Sequence, residues 1–162
     1  MQAKLTVLKL ILDELGIPDS IETVDDRKRV QKAIYLTQLT GVHLGYRFGW
    51  YKKGPYSPDL TKDYYALADA IQVEGEEFAS VKLQPEVRKR LDRVKPLLDV
   101  PHGVSLQQED WLELVSSVHF LRKISKRTQV QSVDVINAEK PQLSEFIPAA
   151  ERALSAADLL SG

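Results

Sequence analysis

Between Trp50 and Leu60 the chain places three aromatic side chains, Trp50, Tyr51 and Tyr56, and two lysines, Lys52 and Lys53, around the turn Gly54-Pro55-Tyr56-Ser57-Pro58. Aromatic and cationic groups at a strand-to-helix turn suit recognition of a partner surface, and the exposed amides of the helix start suit an anion. With Asp59 on the first turn of that helix, the candidate partner-binding residues are Trp50, Tyr51, Lys52, Lys53, Tyr56 and Asp59. The same pattern allows Trp50 and Tyr56 to plug the core beside a tight turn, and the two roles can coexist.

Other chemistry finds no constellation. His43, His102 and His119 are far apart and lack metal-ligand spacing, and the chain has no cysteine for a thiolate site, a nucleophile or a disulfide. There is no Gly-x-Ser-x-Gly elbow, and the serines fall where helix caps are needed. Gly41, Gly45, Gly49 and Gly54 occur singly around turns and a strand, so no phosphate loop forms. Asp25-Asp26 and Glu109-Asp110 sit at expected helix starts, where the macrodipole favours acids without general acid–base work. The chain therefore reads as a non-enzyme with no metal and no cofactor.

Lys+Arg 22 against Asp+Glu 23 leave a net charge of -1, so no global field draws the protein to nucleic acid or anionic lipid. Local basic clusters exist: Arg88, Lys89, Arg90, Arg93 and Lys95, and then Arg122, Lys123, Lys126 and Arg127. They read either as solvated helix faces or as a patch for nucleic acid or an acidic partner.

Leu5, Leu8, Leu12 and Leu15 with Gly16 and Pro18 predict a first helix. A second begins after Asp25-Asp26 and runs to Gly41, with Arg27, Lys28 and Lys32 on its outer face. Tyr46, Phe48 and Trp50 alternate as in a half-buried strand, and Ala79, Val81 and Leu83 could pair with it as a hairpin or wing. Ser57 caps a helix with Pro58 at its first position, burying Leu60, Tyr64, Leu67 and Ile71. Pro85 opens another, which Pro96 kinks or ends. A capping box of Ser105 and Gln108 precedes the stripe Trp111, Leu114, Val115, Val118, Leu121 and Ile124, the central core helix. Ser132 and Ser144 are expected to cap the last two helices, on either side of Pro141.

At 162 residues, 43% hydrophobic and 28% charged, the chain suits one domain over residues 1–162. No run approaches the roughly 18 apolar residues that span a bilayer, and the amphipathic start is not a signal peptide, which makes the cytoplasm the expected location. The fold class is mainly α: a compact multi-helix domain with a small β-hairpin or wing, for which a winged-helix-like arrangement is one form.

Arg29-Val30-Gln31-Lys32-Ala33-Ile34-Tyr35-Leu36, together with the Tyr/Trp-rich strand and Gly-Pro-Tyr-Ser turn of Phe48 to Leu60, resembles the Panacea or SocA-like antitoxin domains and their uncharacterised bacterial and archaeal relatives. Trp111-Leu112-Glu113-Leu114-Val115, Val118-His119-Phe120-Leu121 and Lys140-Pro141 look like the same relatives. The Ser57-Pro58 version is closer to the uncharacterised members. The resemblance implies a helical module with a small β element that binds a partner protein, a toxin or a defence-system component. The alternative is a winged-helix-like nucleic-acid binder using residues from Tyr46 to Lys53 and a basic helix.

Overall fold

A computed structural model describes residues 2–74 and 81–161. Among them are eight α-helices and a two-stranded antiparallel hairpin, so the fold is mainly α with a small β element. The helices are α1 (Ala3–Leu15), α2 (Val24–Leu39), α3 (Pro58–Glu74), α4 (Pro85–Leu91), α5 (Lys95–Leu98), α6 (Gln108–His119), α7 (Gln129–Glu139) and α8 (Ile147–Ala156). The strands are β1 (Gly49–Tyr51) and β2 (Gly54–Tyr56), paired Gly49 with Tyr56, Trp50 with Pro55 and Tyr51 with Gly54.

The apolar stripe of α1 buries Leu5, Leu8, Ile11, Leu12 and Leu15. Gly16 ends the helix in the left-handed region (φ 70), where the Ile17 N–H reaches back to the Leu12 carbonyl at 2.9 Å. Helix α6 is central, as the stripe predicts: it packs on α2, α5, α8 and the hairpin. Trp111 on it is fully buried and donates its indole N–H to the Leu97 carbonyl at 3.0 Å. The stripe continues through a turn of π-helix at Phe120–Ile124, but Ile124 itself is exposed. A 3-10 turn at Pro141–Phe146 leads into α8.

Several local expectations change. Thr23 is the cap of α2, forming a capping box with Asp26; Asp25 and Asp26 lie inside the first turn. The alternation from Tyr46 produces a strand only at Gly49–Tyr51, because the Gln38 side chain binds the N–H and carbonyl of Tyr46, both at 2.9 Å, in place of a strand partner. That strand pairs with Gly54–Tyr56 across the Lys52-Lys53 tip. Val81 and Leu83 form no strand, and Ala79 lies outside the described residues. Ser57 does cap α3, accepting the Leu60 N–H at 3.2 Å. In contrast, α6 starts behind Gln107 with no side-chain cap, Thr128 caps α7 in a box with Gln131, and α8 begins at Ile147 rather than at Ser144. Ser132, inside α7, donates to the Gln129 carbonyl. Pro96 opens the short α5.

No helix among the described residues is long and apolar enough to cross a membrane.

Candidate functional site

Antiparallel pleating sends alternate residues of the hairpin to opposite sides. Tyr51 and Tyr56, with the tip lysines Lys52 and Lys53, line a cleft of about 390 Å³. The other walls are Val24, Arg27, Lys28, Gln31 and Lys32 of α2 and Thr61, Tyr64 and Tyr65 of α3. The tyrosines meet in pairs: Tyr51 and Tyr56 edge to face at 5.1 Å, Tyr64 and Tyr65 tilted at 5.2 Å. Tyr51 and Tyr65 remain about half exposed, at 49% and 47%.

Trp50 faces away from the cleft. Its ring packs on Phe120 at 5.7 Å, its indole N–H donates to Glu139 at 3.2 Å, and Lys140 Nζ lies 5.3 Å from the ring centroid. Asp59 is exposed on the first turn of α3 and does not line the cleft. Four of the six residues singled out from the sequence therefore converge, and two do not.

Beneath the cleft is a buried polar network. Lys28 and Lys32 do not lie on an outer face: they are 7% and 2% exposed, roofed by the hairpin and by α6. Glu113 of α6 receives Lys28 on one carboxylate oxygen (2.6 Å) and Lys140 on the other (2.8 Å), while Lys28 also reaches Asp110 at 2.7 Å. Burial alone would raise Glu113, but Lys140 and Lys28 outweigh it and hold the carboxyl below its usual value. Burial likewise pulls Lys28 down, and its bonds to Asp110 and Glu113 more than compensate.

These lysines also hold the hairpin by its backbone. Lys140 donates to the Lys52 carbonyl at 2.7 Å and Lys32 to the Pro55 carbonyl at 2.5 Å. Gln31 extends the tether, accepting the Ser57 N–H and donating to the Ser57 carbonyl, both at 2.9 Å, as a neighbouring strand would. Gly54 is demanded twice over, by its φ of 91 and by Ser117, whose hydroxyl lies 2.6 Å from where a Cβ would stand.

Lys32 differs from its neighbours in forming no ion pair among the described residues. Burial, reinforced by the charges of Lys140, Lys28 and Lys53 and opposed by Glu113, pushes its amine down to about 7. Near neutral pH it is thus shared between an ammonium and a free amine.

Of the three histidines, His43 and His102 are exposed and His119 is enclosed. The Tyr35 hydroxyl lies 2.7 Å from His119 Nδ1, and both residues are buried. Burial, with a smaller effect of Lys123, pushes His119 down to about 4, while burial raises Tyr35. The imidazole is therefore neutral near pH 7, and its tautomer sets which of Nδ1 and the phenol donates in their hydrogen bond. Among the described residues no cluster of His, Asp and Glu could hold a metal ion. In the first basic cluster Arg88 and Lys95 bind Glu14, Arg90 binds Glu86 and Arg93 donates to the Ala157 carbonyl. In the second, Arg122 binds Glu151.

Sequence reasoning missed the α2 and α3 walls and the network below. The available signal was α2 itself, where Gln31 and Lys32 interrupt a run, Val30 to Leu36, whose other members are apolar on every side of the helix. Comparison with protein-family models, curated proteins and solved structures found no match to the chain.

Proposed function

We propose that the chain is a non-enzymatic protein-binding module, of the antitoxin-like or defence-associated kind, which captures a partner protein across the mouth of the hairpin cleft. The observation that carries the reading is the convergence of Tyr51, Lys52, Lys53 and Tyr56 with Arg27 and Tyr65 around one opening. Half-exposed tyrosines offer large contact area at low entropic cost, and the cations beside them favour a partner that presents acidic and aromatic side chains. The resemblance of Arg29 to Leu36 and Phe48 to Leu60 to the Panacea domains supports the same class, with a toxin or a defence component as the partner.

The test is recovery of the tagged chain from its native cells, beside the Lys52→Glu/Lys53→Glu/Tyr51→Ala variant. A partner protein retained by the parent and lost by the variant is the expected result. A lone chain across all conditions counts against the proposal. Duplex binding at low ionic strength, lost as salt rises, would replace it with the nucleic-acid reading.

A further inference from the structure

The cleft has the chemistry of a small-molecule site as well as of a contact rim. Its volume of about 390 Å³ lies within the range of ligand pockets, roughly 300–1,000 Å³. No carboxylate lines it, although five cationic side chains do. Of these, Lys28 is answered by Asp110 and Glu113, whereas Lys32, Lys52 and Lys53 form no ion pair among the described residues.

Lys32 is the informative member. A protonated lysine carries three donors, yet the buried Nζ of Lys32 has one acceptor, the Pro55 carbonyl. An anion seated in the cleft would supply acceptors and a counter-charge beyond those the protein's own described groups give Lys32. A phosphate monoester fits best, since it offers three oxygens to lysines arriving from two different elements. Above the cations, Tyr51 and Tyr65 present half-exposed rings, each backed by a second tyrosine. Stacked or edge-on contact with a planar ring would cover this surface.

We infer that the cleft binds a planar aromatic molecule bearing a phosphate monoester, of the nucleoside monophosphate class, with its phosphate against Lys32, Lys52 and Lys53 and its ring against the tyrosines. Binding draws a proton onto Lys32, because the anion favours the charged amine, so affinity strengthens as pH falls from 8 towards 7, above the second ionisation of the phosphate at about 6. The inference is independent of the protein-binding reading, since it concerns the isolated chain.

Titration calorimetry with adenosine monophosphate, adenosine and inorganic phosphate on the purified chain tests it. The expected result is binding of the monophosphate at least about tenfold tighter than of either fragment. Net proton uptake should appear when buffers of different ionisation enthalpy are compared. Lys52→Glu/Lys53→Glu, at exposed positions, should weaken the monophosphate by at least about tenfold, and Tyr65→Ala should weaken it while leaving phosphate unchanged. Equal affinity for adenosine or for phosphate alone overturns the inference, as does the absence of binding. A phosphotyrosine peptide that binds where the monophosphate does not also overturns it, by moving the site to a protein partner.

Discussion

Ser117 stands directly behind Gly54: a Cβ on the glycine would lie 2.6 Å from the serine hydroxyl oxygen, which has no hydrogen-bond partner among the described residues. The turn that marks this sequence is thus held against α6 by a contact that only glycine permits.

Gly54→Ala should destabilise the protein by at least about 2 kcal/mol, from the left-handed backbone and the collision together. Ser117→Ala alone should change stability by less than about 1 kcal/mol, because the hydroxyl it removes has no partner among the described residues. Adding it to Gly54→Ala should recover part of the loss. Urea unfolding of the four proteins in the cycle measures this coupling, and strict additivity would contradict the contact.

Glu113→Ala removes the carboxylate that Lys140 pairs with and one of the two that Lys28 pairs with, and should cost about 3–5 kcal/mol. Glu86→Ala removes only an exposed partner of Arg90 and should change stability by less than about 0.5 kcal/mol. Denaturant midpoints at constant slope compare the two directly.

Much of this was legible in the sequence where burial is one-sided. Helix α1 and the Trp111 to Leu121 stripe of α6 bury one face each, and periodicity finds them. Helix α2 defeats the same reasoning, because Val30 to Thr37 are buried on every side and the lysines at positions 28 and 32 have charged or carbonyl partners brought from α6 and the hairpin. The hairpin half of the cleft is a local cluster, visible as crowded aromatics and lysines. Its other walls are tertiary, since nothing near Tyr65 or Arg27 in the chain records that Tyr51 will face them. The strand from Tyr46 was shortened by one glutamine side chain, a competition that alternation cannot encode.

Lys32 ties stability to pH. Unfolded, its amine titrates at the ordinary 10.5; folded, at about 7. Between those values the unfolded state binds more protons, so the Lys32 contribution improves as pH rises and is least favourable below 7. Relative to the parent, Lys32→Met should gain at least about 1 kcal/mol between pH 9.5 and pH 7, read from urea unfolding at both values. A difference independent of pH would mean that the amine stays charged in the fold.

His119 acts at the acid end. Its folded value of about 4 lies below the ordinary 6.5, so its contribution is fully present above 6.5 and is lost as pH falls through 4. Across that window the parent should lose on the order of 2–3 kcal/mol more than His119→Gln, which can donate to or accept from Tyr35 without titrating. Thermal melts at pH 7 and pH 4 give the comparison.

Two strands of three residues each would fray on their own. Here, lifting the hairpin exposes no large apolar sheet but strips acceptors from Lys32 and Lys140 and from Gln31 while they remain enclosed. A partly lifted hairpin is therefore costly relative to the closed one, because enclosed donors lose their acceptors. Amide hydrogens of Tyr56 and Ser57 should exchange as slowly as those of α6, although they border a cleft at which Tyr51 and Tyr65 are half exposed.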